Sequence, residues 1–126
     1  MFESELRTRY NEQTGKRVLL EPLRYKTKTG RVVVARKGFE TDLDSIGRIP
    51  IVYSIFKSRT VYGAVIHDWL YSVSFDRKTA DRIFLEAMKD EGVKLFYRAV
   101  IYSAVRMFGF IRYNKVQKQN YRGLYD

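Results

Sequence analysis

The stretch TADRIFLEAM, residues 79–88, is the clearest structural signal in this chain. Its apolar residues follow the i, i+3, i+4, i+7, i+8 spacing that puts one face of a helix into a core: Ala80, Ile83, Phe84, Ala87 and Met88. Ser74 or Asp76 is placed to cap this helix, and Gly92 to close it. A helix with a single apolar face must pack against other elements, so the flanking sequence decides the fold class.

Helical patterns flank this stretch on both sides. On the N-terminal side, Thr60 is a suitable N-cap for a helix that runs to about Tyr71. On the C-terminal side, a third helix is predicted from about Val93 to Ile111. Its apolar residues share one broad face, which we expect to be buried: Phe96, Val100, Ala104, Met107, Phe108 and Ile111.

The sequence before residue 40 favours β-structure. The runs LRYK (23–26) and RVVVA (31–35) enclose the turn TKTG (27–30), which is the pattern of a hairpin. Gly38 is expected to end the sheet, and residues 41–50 to form a loop or a short helix. A small antiparallel sheet followed by three helices is an α+β fold. We expect one domain over residues 1–112 and a basic, tyrosine-rich tail over residues 113–126.

Composition narrows the class of protein. The 126 residues include no cysteine, which excludes disulfides and thiolate chemistry. The N-terminus lacks the pattern of a secretory signal, and no apolar run is long enough to predict a membrane span. The net charge is +10, and the basic residues concentrate at the two ends of the chain. Basic ends suit phosphate backbones and acidic protein surfaces equally well.

Polar residues gather in two short motifs, GFETDLDSIGR (38–48) and HDWLY (67–71). They contain the single histidine of the chain, His67, which lies one helical turn before Tyr71. His67 and Asp68 are adjacent and point about 100° apart, so they are not expected to ligate one ion together. Together with Asp81, these motifs give a set of candidate site residues: Thr41, Asp42, Ser45, Arg48, His67, Asp68, Tyr71 and Asp81.

The same motifs carry a family resemblance. Gly-Phe-x-Thr-Asp-Leu-x-Ser-Ile, an arginine, His-Asp-Trp-Leu-Tyr and then Ala-Asp-x-x-Phe resemble the domain of unknown function 1353, a family carried by tailed phages and prophages. The resemblance covers roughly residues 18–112. It departs from the family's Ile-Pro-Arg at Ile46-Gly47-Arg48, where the proline is displaced to Pro50. The resemblance implies a phage context and no particular reaction.

Two interpretations of the candidate residues follow from their chemistry. In one, Asp42, His67 and Asp81 surround an activated water or a divalent ion and form a hydrolytic pocket. In the other, the same residues form a buried polar network that specifies the fold, with Asp42 paired to Arg48. One histidine without cysteine argues against a zinc site, and no metal or cofactor is expected. The network is the favoured interpretation, and whether the chain is an enzyme stays open.

The tail suggests how the protein meets other molecules. Tyrosine and arginine are enriched in protein interfaces, and the tail combines both with lysine. We expect these side chains to contact a partner: Tyr113, Lys115, Lys118, Tyr121, Arg122 and Tyr125.

The expected function is that of a virion-associated tail or neck protein that binds other phage structural proteins. It would be made in the host cytoplasm and could also form homo-oligomers. The alternatives are a phage hydrolase that acts on cell wall or a nucleotide-like substrate through a His/Asp site, and a nucleic-acid-binding accessory protein that uses the N-terminal hairpin.

Overall fold

The computed structural model describes residues 1–41 and 60–125, with side chains omitted at Arg112 and from residue 119 onward. The strands are β1 Thr8–Asn11, β2 Lys16–Leu19, β3 Leu23–Lys26, β4 Val32–Ala35 and β5 Glu40–Thr41. The helices are α1 Val61–Ser72, α2 Arg77–Asp90 and α3 Leu95–Tyr125. Strands come first and helices follow, which confirms the predicted α+β class.

The strands form two small antiparallel sheets. The predicted hairpin is present: β3 pairs with β4, with Leu23 opposite Ala35, and Gly30 adopts a φ of 91° in the connecting turn. A second sheet, in the order β1-β2-β5, was not predicted, because its strands are short and largely polar. Gly38 does not end the sheet. Its φ of 87° lets the chain turn back so that β5 can pair with β2.

The helix of the opening motif forms as predicted. All five residues of the apolar stripe are buried, and Asp76 caps the helix by accepting from the backbone N–H of Thr79 at 3.0 Å. The stripe packs against α1 and α3. Leu23, Tyr25, Val33 and Ala35 of the hairpin bury their side chains in the same core.

The third helix differs from the prediction in length and in the face that it buries. It continues to Tyr125, whereas the helix was predicted to end at about Ile111, and so includes the backbone of residues 113–125. Ile101, Ala104, Val105 and Val116 are buried, whereas four of the residues expected in the core are exposed: Phe96, Met107, Phe108 and Ile111. The helix of 31 residues spans about 46 Å, about twice the length of the 14-residue α2. Within the described residues, no helix is both long enough and apolar enough to span a membrane.

Candidate functional site

The carboxylate of Asp81 lies at the meeting point of the three helices. It is fully buried on α2 and receives hydrogen bonds from the other two helices. Tyr71 donates to Oδ1 at 2.5 Å and His67 Nε2 lies 2.7 Å from the same oxygen, while Arg106 of α3 donates to Oδ2 at 2.6 Å. Because an ionised carboxylate only accepts hydrogen bonds, we assign the Nε2 proton to His67. One anion therefore ties α1, α2 and α3 together.

His67 and Tyr71 reach Asp81 because they lie one turn apart on α1. Their rings are 4.1 Å apart between centroids, and both side chains bond the same oxygen of Asp81. The imidazole also stacks on Phe84 of α2, with centroids 4.6 Å apart. Only 3% of His67 is exposed. The histidine is therefore enclosed by aromatic rings on the side that faces α2.

Two arginines connect the network to α3. Arg77 lies one turn before Asp81, with its Nε 3.9 Å from Oδ2. Its terminal nitrogen donates to the carbonyl oxygens of Val105 and Arg106, at 3.2 and 2.7 Å. Arg106 pairs directly with Asp81 and is about one-third exposed. Neither arginine belonged to the candidate set, since the sequence does not indicate which face of α3 meets α2.

The hydrogen bonds of the network outweigh the cost of burial at Asp81. Burial by itself raises the pKa of a carboxyl group, but the bonds from His67, Tyr71 and Arg106 favour the anion and hold the pKa of Asp81 below its ordinary value. Burial and the neighbouring anion act together on Tyr71 and raise the pKa of its phenol far above its ordinary value. Tyr71 is accordingly a neutral hydrogen-bond donor.

Thr41 and Asp68 form a second buried pair. The hydroxyl of Thr41, at the end of β5, donates to Asp68 Oδ2 at 2.9 Å. Asp68 thus faces the three-stranded sheet while His67 faces α2, as their adjacent positions on a helix predict. The pair joins the end of β5 to α1. Asp42, Ser45 and Arg48 lie outside the described residues.

A third polar cluster, which the sequence did not suggest, caps the N-terminus of α1. Its acceptor is Glu91, which is far from α1 in sequence. Thr60 is the N-cap residue, but its side chain makes no capping bond to its own helix. Instead it donates to Glu91, which also accepts from the backbone N–H groups of Tyr62 and Gly63 at 3.0 Å each. A Cβ at Gly63 would lie only 2.8 Å from the Thr60 hydroxyl. Burial raises the pKa of Glu91, although its hydrogen bonds act in the opposite direction.

The residues that we expected to bind a partner differ in how far they are exposed. Tyr113 is half-buried, with its ring packed edge-to-face on Tyr71 at 5.2 Å between centroids. Lys115 and Lys118 are exposed on α3. The side chains of Tyr121, Arg122 and Tyr125 lie outside the described residues.

The network has groups that catalysts use, and three of them are buried: His67, Tyr71 and Asp81. A histidine held by a carboxylate can act as a general base when its ring reaches substrate. The described part of the protein has a surface groove next to the β3–β4 turn, α2 and α3. Its lining includes none of the four residues of the network, His67, Tyr71, Asp81 and Arg106. Residues 1–41 and 60–125 contain no group of three metal-binding side chains placed around a common point. What this arrangement does demonstrably provide is a link between three helices.

Comparison with known proteins identifies the family. A family model described as Protein of unknown function (DUF1353) matches residues 17–105. The chain belongs to this family. The match includes β2 through α2 and the first part of α3, and it ends one residue before Arg106. Neither the curated proteins nor the solved structures contain a match to the chain.

Proposed function

We propose that this protein is an accessory component of a phage particle that binds another particle protein through α3. The observation that carries the proposal is an apolar stripe, defined as Phe96, Val100, Met107, Phe110 and Ile111. At 100° per residue these positions fall within one face of α3. Phe96, Met107 and Ile111 are 71%, 63% and 61% exposed. Large exposed apolar side chains that share one helix face are typical of a protein interface.

The stripe lies beside the face that holds α3 on its own domain. Ile101, Ala104 and Val105 point into the core, and Arg106 reaches Asp81. The helix therefore has one apolar face that stabilises the fold and another that does not. Burying a single large apolar side chain is worth about 2 kcal/mol, so a partner that covered the stripe would gain substantial binding energy.

Charge favours a different protein over a second copy of this chain. Between residues 95 and 125 the sequence has Lys or Arg at 98, 106, 112, 115, 118 and 122, and no Asp or Glu. Pairing two such helices would bring like charges together, whereas an acidic partner would be attracted. The phage context comes from the family resemblance, and the buried state of His67 supports a binding role over the hydrolytic alternative.

The test uses particles from a phage or induced prophage that encodes this chain. The stripe variant is Met107→Ser with Ile111→Ser, and the matched control is Val32→Ser with Val73→Ser, which changes two exposed apolar residues outside the stripe. Mass spectrometry of gradient-purified particles should find the wild-type chain and the control. The stripe variant should be depleted about tenfold while its melting temperature stays unchanged, because only the contact surface is altered.

Two results would contradict the proposal. The first is absence of the wild-type chain from purified particles, and the second is full incorporation of a folded stripe variant. Light scattering after size exclusion tests whether the stripe binds a second copy of this chain instead. A wild type that is dimeric and a stripe variant that is monomeric would show that it does.

A further inference from the structure

A cationic groove lies on a different face of α2 from the Asp81 carboxylate. Its walls are the β3–β4 turn, the outer face of α2 and the first turns of α3, and its volume is ≈ 750 Å³. Five basic side chains line it: Lys28, Arg31, Arg82, Lys89 and Arg98. Glu86 is the single carboxylate among the lining residues, so the groove carries a formal charge of +4 (five minus one).

Among the described residues, the acids near the basic side chains of the groove are few: Glu86 lies in its lining, and the charge of Lys28 also acts on Asp90. None of the five forms an ion pair with a described residue. Glu86 is already engaged, since it accepts the backbone N–H of Lys28 at 2.9 Å and so holds the turn in place. Five cations gathered in a recess repel one another, and a bound anion would relieve that repulsion.

Two arginines of the groove show more specific features. The Nε of Arg98 is enclosed by protein and has no hydrogen-bond acceptor among the described residues. A phosphate in the groove would therefore meet the terminal N–H groups of the Arg98 guanidinium and not its enclosed Nε. The Arg31 guanidinium lies 5.3 Å from the centre of the Phe75 ring, a contact that orients its planar fork.

We infer that this groove binds single-stranded nucleic acid by its phosphate groups. Arginine forks match phosphate oxygens, and the hydroxyls of Thr29 and Ser103 add neutral donors along the lining. Leu85 and the half-buried Tyr102 supply apolar surface for a base or sugar. The major groove of a duplex alone is about 12 Å wide, so a duplex would reach only the rim of a recess of this volume, whereas one strand can enter it. This inference does not depend on association with a particle.

The experiment measures fluorescence anisotropy of a labelled oligothymidine of roughly 12 nucleotides. The groove variant is Arg31→Gln with Arg82→Gln, and the control is Arg9→Gln with Arg36→Gln, which removes the same charge from exposed residues elsewhere. The groove variant should weaken binding about tenfold, and the control less than about twofold. Between about 50 and 200 mM salt, the slope of log K against log salt should fall in magnitude by about 1.4, which is two phosphate contacts at about 0.7 each.

Several outcomes would overturn the inference. Equal losses in the groove variant and the control would mean that only net charge matters. A duplex of the same length that binds as tightly would exclude a single-strand site, and full competition by thymidine monophosphate at equal phosphate concentration would indicate a small-molecule site. Thermal melting of both variants checks that they are folded. In addition, the ¹⁵N-edited signals of the Arg98 guanidinium, assigned with Arg98→Lys, should shift when the oligonucleotide is added, and unchanged signals would contradict the role given to Arg98.

Discussion

Arg106 of α3 donates a hydrogen bond of 2.6 Å to Asp81, the fully buried aspartate of α2. The same carboxylate receives His67 and Tyr71 from α1 on its other oxygen. One carboxylate thus links all three helices, in addition to the bonds that join them in pairs. Because one anion accepts all these bonds, changes at Asp81 should be felt more strongly than changes at any one of its donors.

Replacing Asp81 with Asn should destabilise the protein by about 3–5 kcal/mol. Removing one member of a buried charged cluster leaves its partners unpaired, and the cost falls in this range. Arg106→Gln should cost less, because its side chain is partly exposed and water can replace the lost bond. Urea denaturation of both variants measures the difference. Equal stabilities of the Asp81→Asn variant and the wild type would show that the network does not hold the helices together.

The Asp81 network should also set the response to acid. The pKa of Asp81 is lower in the folded state than its ordinary value of 3.8, so its contribution is complete above that value and is lost as the pH falls through the lower, folded pKa. The melting temperature of the wild type should therefore fall below about pH 4 more steeply than that of Asp81→Asn. Parallel curves for the two proteins would contradict the assignment of a lowered pKa to this residue.

Replacing His67 with Gln or with Asn should distinguish a structural role of this histidine from a catalytic one. The amide nitrogen of Gln occupies a position close to Nε2, whereas that of Asn lies near Nδ1. If the bond from Nε2 to Asp81 is what matters, His67→Gln should be more stable than His67→Asn by about 1 kcal/mol or more. Chemical denaturation gives the order. A base that served only catalysis would leave stability unchanged in both variants.

Gly109→Ala should destabilise the protein in a way that depends on Tyr71. Alanine is a better helix former than glycine by about 1 kcal/mol, but its Cβ would lie 2.9 Å from the Tyr71 hydroxyl oxygen. Displacing that hydroxyl would break its bond to Asp81. In a Tyr71→Phe background the obstruction is absent, so the same substitution should become neutral or stabilising. A double-mutant cycle measures the coupling, and additive effects would contradict the predicted clash.

Glu91 should behave as the cap of α1. Glu91→Ala should cost about 1–2 kcal/mol, the usual range for a lost helix cap, and Glu91→Gln should cost less because it keeps an acceptor oxygen. The pKa of Glu91 is raised above 4.5 in the folded state, so its stabilising contribution is complete below that value and declines as the pH rises through the folded pKa. Melting curves across this range should show the decline in the wild type and not in Glu91→Gln.

Local sequence was sufficient for the elements that carry a strong period or a specific turn. The α2 stripe, the Asp76 cap and the β3–β4 hairpin all formed as predicted, because each depends on residues close together in the chain. The strands β1, β2 and β5 were not predicted. Each has four residues or fewer, too few to show a clear alternation of polar and apolar side chains. Thr60 was recognised as the start of α1, but its partner Glu91 is 31 residues away and no local pattern connects them.

Some residues of the candidate site could be predicted from the sequence, but their arrangement could not. His67, Tyr71 and Asp81 were candidate residues from the sequence, and the i, i+4 spacing of His67 and Tyr71 predicted that both lie on one face of α1. That they meet Asp81, and that Arg106 completes the cluster, follows from how the helices pack. Likewise, the period of α3 identified its apolar residues, but only the positions of α1 and α2 decide which of them are covered.

By itself, the sequence determined the α+β class, the helical face of α2 and the chemical character of the polar residues, because these depend on interactions within a few turns of chain. The tertiary structure decided three other matters: that Asp81 is shared by three helices, that Phe96, Met107 and Ile111 face outward, and that five cations line one groove. Each depends on contacts between residues far apart in sequence, and a helical period cannot specify what, if anything, lies opposite each face.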